Sequence, residues 1–184
     1  MAAASIGVLG SAFNPPHNGH ADVVTQALAE FDRVLLVPSY RHAFGKNMLP
    51  YHWRLQMVAA LVENMADERV ALFDIEESLA EAQGDPTRPV YTYDVLAETE
   101  RQFPNGKIAF IVGPDNAATR TWQKFYRGDE ILKRWCLWPA AERIPVRSSD
   151  IRAQAERGIF PSPAQCPPDV ARLLRACLAD PSHK

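Results

Sequence analysis

The amino-acid sequence predicts a doubly wound α/β domain built around a parallel β-sheet. Short apolar runs alternate along the chain with longer segments whose apolar residues recur at helical spacing, as expected for repeated strand–helix units. The run KIAFIVG at 107–113 is apolar almost throughout, as expected for a strand in the middle of a parallel sheet. We see no internal repeat, and a length of 184 residues predicts a single domain over 1–184.

The first half of the chain predicts three strands and three helices. The strands are expected at 5–13, 33–39 and 69–76, and the helices at about 19–31, 52–65 and 91–103. Pro38 ends the second strand, and the run PNG at 104–106 closes the third helix. A loop is expected over GDPTRP at 84–89.

The second half continues the same pattern with more irregular elements. The fourth strand, 107–113, precedes an irregular fifth strand expected at 136–143. Helices are expected near 115–121, 123–134, 149–157 and 168–179, with a proline-rich linker at 161–168.

Composition excludes several classes of function. The formal net charge of −2 gives no reason to expect a nucleic-acid surface, and no apolar run approaches the roughly 18 residues that span a bilayer. The N-terminal run MAAASIGVLG has no basic leading region, so we do not expect a signal peptide. Three dispersed cysteines, without CxxC spacing, argue against a disulfide scaffold or a zinc site and fit the cytoplasm.

A first polar signature follows the first strand, in SIGVLGSAFNPPHNGH at 5–20. A helix beginning here offers unpaired N–H groups and partial positive charge, which suit a phosphate. His17 and His20 add ring N–H donors, which become more cationic if a phosphate raises their pKa. The alternatives are two solvent-facing loop histidines, or a zinc pair for which no third ligand has suitable spacing.

A second signature, RSSDIR at 147–152, precedes a predicted helix. Ser148 or Ser149 could simply cap that helix, with Asp150 favouring its first turn. Arg152 lies one turn further along this helix. Its guanidinium could bind, through two hydrogen bonds, a phosphate located at the helix N-terminus. Ligands of doubly wound sheets bind beyond the carboxyl ends of the strands, so both signatures are expected at one edge, with GPDN at 113–116.

The two signatures together resemble those of the nucleotidyltransferase superfamily, GxFxPxHxGH and [ST][ST]x[IL]R. Here they read GSAFNPPHNGH at 10–20 and SSDIR at 148–152. Between and after them, RPVYTYDVL, FIVGPDN, TRTWQKF and PPDVARLL are similar to segments of the nicotinate/nicotinamide mononucleotide adenylyltransferase branch. Two features depart from the pattern. Ser11 replaces the usual glycine, and the loop at 39–57 lacks the usual PPHK run, for which His42 and Lys46 are possible substitutes.

The resemblance implies a Rossmann-like nucleotidyltransferase fold and a mechanism that needs no protein nucleophile or general base. AMP would pass from ATP to nicotinate or nicotinamide mononucleotide, giving deamido-NAD or NAD and pyrophosphate. Because the acceptor phosphate is already ionised when it attacks the α-phosphorus, catalysis reduces to alignment and charge stabilisation. ATP would carry Mg²⁺, with no protein metal site, and a homo-oligomer is left open.

The resemblance also implies roles for individual residues. The residues expected to act in catalysis are His17, His20 and Arg152. The further residues expected to bind ATP are Gly10, Ser11, Phe13, Gly113, Asp115, Ser148 and Ser149, the last helices completing this site from about 149. The residues expected to bind the acceptor are Thr92, Trp122 and Lys46, with Trp122 stacking on the pyridine unless it is a core residue.

Two other classes of function stay open. The chain could transfer a nucleotide to a phosphopantetheine-type or cytidylyl acceptor, or it could be a non-catalytic nucleotide sensor. Within the main hypothesis, nicotinate mononucleotide is favoured. Arg120 and the Thr92 N–H and hydroxyl can donate to a carboxylate, and no acid lies immediately beside Arg120 or Thr92 to accept from a carboxamide.

Overall fold

The computed structural model describes residues 3–41, 47–85, 87–113 and 118–181. In these residues a five-stranded parallel sheet has the order β3-β2-β1-β4-β5. Its strands are β1 (Ser5–Ser11), β2 (Arg33–Pro38), β3 (Val70–Leu72), β4 (Lys107–Val112) and β5 (Cys136–Pro139). The predicted doubly wound α/β fold is confirmed, because helices cover both faces of this sheet.

Eight helices flank the sheet in the described part of the chain. They are α1 (Asn18–Ala27), α2 (Tyr51–Met65), α3 (Glu76–Ala82), α4 (Thr92–Gln102), α5 (Thr119–Trp122), α6 (Gly128–Arg134), α7 (Ser148–Ala155) and α8 (Pro168–Ala179). None of them is both long enough and apolar enough to cross a lipid bilayer.

Successive side chains of the strands point to opposite faces of the sheet and pack into two separate hydrophobic cores. Leu36 of β2 packs with α1, α2, α7 and α8, whereas its neighbours Leu35 and Val37 pack with α4, α5 and α6 on the other face. Such two-sided burial removes apolar area from water on both faces, and it explains why the strand sequences are continuously apolar.

Three predictions about the elements were wrong in detail. Strand β3 ends at Leu72, and the next residues build α3 from the strong helix formers of EESLAEA instead of continuing the strand to 76. The helix expected at 123–134 begins only at Gly128, after Arg127 with a left-handed φ of 52°. A Cβ on Gly128 would lie 1.7 Å from the Trp122 carbonyl oxygen, so only glycine permits this tight reversal between α5 and α6. The fifth strand is also shorter than expected, ending at Pro139.

The strand order places the polar signatures together. The sheet order reverses between β1 and β4, whose carboxyl ends therefore open a crevice at a topological switch point. The loop after β1 leads to α1, and the chain after β5 leads to α7, so both signatures reach this crevice.

Candidate active site

A cavity of about 450 Å³ lies at the switch point. It is bounded by the loop after β1, the first turn of α1, the chain after β5 and the first turn of α7. The predicted site residues that line it are Ser11, Phe13, His17, His20, Gly113, Ser148, Ser149 and Arg152. The fold therefore gathers residues from both ends of the sequence, and the expected convergence of the two signatures is confirmed; of GPDN, Gly113 lines the cavity and 114–116 lie outside the described residues.

Histidine side chains cap the first turn of α1. The Nδ1 atom of His17 accepts a hydrogen bond from the Gly19 N–H at 3.1 Å, and the Nδ1 atom of His20 accepts from the His17 N–H at 3.2 Å. The Asn18 N–H donates to the Gln165 carbonyl at 2.8 Å, and the His20 N–H donates to the His17 carbonyl at 2.9 Å. Contrary to the sequence-based expectation, the backbone N–H groups of this turn are occupied by the protein itself.

The same hydrogen bonds determine which ring nitrogen of each histidine carries the proton. A backbone N–H can only donate, so the Nδ1 atoms that accept from it carry no hydrogen. A neutral imidazole then bears its proton on Nε2. The Nε2 atom of His20 lies 3.3 Å from the Ser11 hydroxyl, which can accept this proton's hydrogen bond in the absence of a phosphate. The donors that this turn leaves for a ligand are therefore imidazole N–H groups rather than backbone amides.

Both histidines are neutral in the free protein near neutral pH. Burial, helped by the neighbouring Arg147 guanidinium, lowers the pKa of His17 to about 4. Burial and the adjacent His17 ring, whose centroid is 3.9 Å away, hold the pKa of His20 well below its usual value. A bound phosphate would act in the opposite direction, because an anion favours the protonated ring.

We expect His17 to make the stability of the protein depend on pH. Its pKa is depressed on folding from 6.5 to about 4, so the folded state binds fewer protons in this window and stability falls as pH drops through it. Between pH 7 and pH 5 the expected loss from His17 is about 2 kcal/mol. Urea unfolding of His17→Asn, which keeps an N-cap acceptor, should show a correspondingly weaker pH dependence. Identical pH dependence in the parent and the variant would contradict this assignment.

Two arginines hold the loop between β1 and α1. Phe13 adopts a left-handed φ of 45° and is fully buried, and its ring lies 4.8 Å from that of His20. Arg54 donates to the Ala12 carbonyl at 2.8 Å, and Arg152 donates to the Asn14 carbonyl. Bonds on both sides of Phe13 maintain a backbone conformation that costs free energy by itself.

Among the described residues, no side chain caps the first amide groups of α7. Arg147 is the N-cap residue and makes no side-chain cap, while the Ser148 hydroxyl donates to the Pro15 carbonyl at 2.8 Å. The alternative that Ser148 or Ser149 caps the helix is therefore wrong. An uncapped helix N-terminus that carries Arg152 one turn inside is well suited to bind phosphate.

The structure does not bring every predicted residue into the cavity. Gly10 lies within β1, and Asp115 and Lys46, like His42, fall outside the described residues. Thr92 is the first residue of α4 and does not line the cavity. Trp122 is 1% exposed, with its ring stacked on Phe125 at 4.6 Å. In this conformation Trp122 is thus a core residue, and its stacking on an acceptor stays a prediction.

Sequence reasoning missed a buried polar group beside the cavity. Arg54 is 1% exposed and donates to the Ala12 carbonyl in the loop after β1 and to the carbonyls of Tyr40 and Leu49 in the connection between β2 and α2. Glu76 accepts from the Tyr40 N–H at 2.7 Å, and burial raises the pKa of this carboxyl to about 8. An arginine in an amphipathic helix normally predicts a solvated face, so nothing in the pattern of α2 distinguished Arg54.

Fold and site together define an enzyme of the nucleotidyltransferase type, in which two helix starts meet in one cavity of a doubly wound sheet. The chain belongs to the cytidylyltransferase-like family, whose model matches residues 8–154. Within this family it belongs with the nicotinate-nucleotide adenylyltransferases, as its relatives indicate.

Two relatives assigned as nicotinate-nucleotide adenylyltransferases cover most of the chain. One, from Anaeromyxobacter dehalogenans, is 31% identical over 83% of this chain and 84% of its own. The other, from Myxococcus xanthus, is 30% identical over 87% of this chain and 86% of its own.

Solved structures agree with the fold. A protein of Vibrio parahaemolyticus assigned the same activity superposes with a TM-score of 0.78 and 35% identity, over 93% of this chain and 98% of its own. The Plasmodium falciparum nicotinic acid mononucleotide adenylyltransferase, solved with NaAD, superposes with a TM-score of 0.66 over 93% of this chain and 94% of its own. At 16% identity, this second likeness supports the fold alone.

Proposed function

We propose that the protein transfers the adenylyl group of ATP to nicotinate mononucleotide, forming deamido-NAD and releasing pyrophosphate. The observation that carries the proposal is the single cavity into which α1 brings His17 and His20 and α7 brings Arg152. The names of the relatives supply the acceptor.

The chemistry that this cavity supports is an in-line displacement at phosphorus. The 5′-phosphate of the acceptor forms a bond to the α-phosphorus of ATP while the bond to the bridging oxygen of pyrophosphate breaks. The nucleophile is already an anion, so the protein supplies alignment and charge stabilisation rather than a base. The neutral Nε2–H groups of His17 and His20 donate to phosphate oxygens, and Arg152 with the α7 terminus holds the leaving pyrophosphate.

Magnesium fits this site as part of the substrate. Among the described residues, no three side chains of His, Cys, Asp or Glu are grouped as a metal cage. Among the described residues, Glu142 is the carboxylate that lines the cavity, and it pairs with Arg147 at 2.5 Å. The donors are imidazoles, hydroxyls and a guanidinium, which bind phosphate oxygens; Mg²⁺ held by ATP would neutralise part of the phosphate charge.

By resemblance the pyridine ring of the acceptor lies near the start of α4, which would favour nicotinate over nicotinamide. The N–H of Thr92 is at the first position of an eleven-residue helix, where a carboxylate is favoured. Asp94 lies two residues after Thr92, in the first turn of the same helix. Its carboxylate already accepts from the Tyr91 N–H at 3.2 Å and lies 3.7 Å from Arg88, so it is engaged rather than waiting for an amide.

We therefore expect kcat/KM with MgATP to be higher for nicotinate mononucleotide than for its amide, by about tenfold for one unmatched polar group. Steady-state pyrophosphate release with each acceptor measures this ratio. A preference for the amide would reverse the specificity and leave adenylyl transfer intact, whereas no turnover of either acceptor would refute the proposed function.

The same assay decides between the remaining alternatives. Replacing ATP by CTP, and the pyridine nucleotide by phosphopantetheine, tests the other transferase activities. Tight ATP binding without pyrophosphate release from any acceptor would indicate a nucleotide sensor.

A further inference from the structure

One wall of the cavity is a stretch of irregular chain between β5 and α7. Residues 140–144, which we call the wall segment, all line the cavity. Within the described residues, the backbone N–H groups of Glu142, Arg143 and Ile144 donate to no protein group. Because these residues line the cavity, their N–H groups are available to a ligand that binds against this wall.

Two side chains of α1 hold the wall segment. The Gln26 amide pairs with the backbone of Ala141 in both directions: Oε1 accepts from its N–H at 3.0 Å, and Nε2 donates to its carbonyl at 2.9 Å. Nε2 also donates to Asp22 at 2.8 Å. Asp22 in turn receives Arg143 through both carboxylate oxygens, with Nη2 to Oδ1 at 2.6 Å and Nε to Oδ2 at 3.0 Å.

The wall segment also touches the turn that carries the phosphate donors. A Cβ on Gly19 would lie 3.1 Å from the Ile144 carbonyl oxygen and 2.9 Å from the His17 ring, so the absent side chain allows this close approach. One helix thus fixes the positions of both the imidazole donors and the wall segment.

We propose that Gln26, supported by Asp22, is a positioning residue that sets the wall segment to select the base of the nucleotide; this inference rests on the proposed use of ATP. The donors for phosphate occupy the α1 and α7 termini, and the rest of the cavity offers apolar Val23 and Ala140 with the N–H groups of the wall segment. A flat purine carrying donors and acceptors on its edge matches such a surface, and an error of about 1 Å in the wall would misalign those bonds.

The test compares Gln26→Met, which keeps the length of the side chain and removes all three hydrogen bonds, with Asp22→Asn. Thr25→Val is the matched control, because Thr25 is exposed and its hydroxyl bonds only to Ala21 of the same helix. Direct binding of ATP and of GTP is measured by calorimetry, with thermal unfolding to confirm that each variant is folded.

We expect Gln26→Met to raise the Kd for ATP by about tenfold or more and to lower the preference for ATP over GTP by at least about fivefold. Asp22→Asn should show a smaller change in the same direction, and Thr25→Val a change under about twofold. A folded Gln26→Met protein with parental ATP affinity, or with equal losses for ATP and GTP, would overturn the inference.

This experiment separates the inference from the proposed function. If the parent binds ATP but turns over neither pyridine mononucleotide, the proposed function fails while the binding comparison still tests Gln26. If the parent does not bind ATP, both fail.

Discussion

Replacing His20 by alanine is expected to lower kcat by about 10²-fold or more while the protein remains folded. The Nε2–H of His20 is a preorganised donor in a partly buried site, and loss of one such donor to charge that develops in the transition state typically costs this much. Initial rates of pyrophosphate release at saturating ATP and acceptor measure the effect.

Two further variants keep this prediction specific. His20→Asn retains an oxygen that can accept from the His17 N–H, so it preserves the cap and should lose nearly as much kcat as alanine. His52→Ala changes an exposed histidine of α2 outside the cavity and should leave kcat unchanged. If His20→Ala stays within a factor of three of the parent, His20 is a capping residue alone.

Arg152→Lys is expected to reduce kcat/KM for ATP by the equivalent of about 1–3 kcal/mol, although the positive charge is kept. A guanidinium can donate to the Asn14 carbonyl through one nitrogen and still present others to a phosphate, whereas an ammonium is a point donor. Steady-state kinetics with varied ATP measure the loss.

The matched control is Arg157→Lys, an exposed arginine just beyond α7 that does not line the cavity. It should leave ATP kinetics unchanged. Normal ATP kinetics in Arg152→Lys itself would mean that Arg152 serves only to hold the loop after β1.

The fold class and the strand positions followed from the sequence because their cause is local. A strand buried on both faces must be apolar along almost its whole length. The run at 107–113 has this pattern in the sequence, and in the structure it forms β4, which is buried along most of its length. The split of 123–134 was not predictable. It depends on how closely the Gly128 backbone approaches Trp122, a contact between segments that no periodicity records.

For the site, the sequence identified the two signatures and eight of the residues that line the cavity, since motif spacing and the ends of strands can be recognised along the chain. It did not identify which N–H groups are free to donate to a ligand. The sequence predicts open amides at α1 and leaves a serine cap possible at α7, whereas in the described structure the α1 amides are occupied and the start of α7 has no side-chain cap. Two of the partners are distant in sequence: the Gln165 carbonyl occupies the Asn18 N–H of α1, and the Pro15 carbonyl takes the Ser148 hydroxyl that could otherwise cap α7.

The sequence by itself determined that this chain forms a parallel α/β domain with His17, His20 and Arg152 at one edge, because strand patterning and motif order are local properties. Only the tertiary structure decided that the histidines are neutral Nε2–H donors, since burial and the backbone partners of Nδ1 set the charge and the tautomer. It also decided that Arg54 and Gln26 hold the walls of the site. Their partners are backbone groups of other segments. Every residue has a backbone carbonyl, so the sequence does not show which carbonyl a side chain will contact.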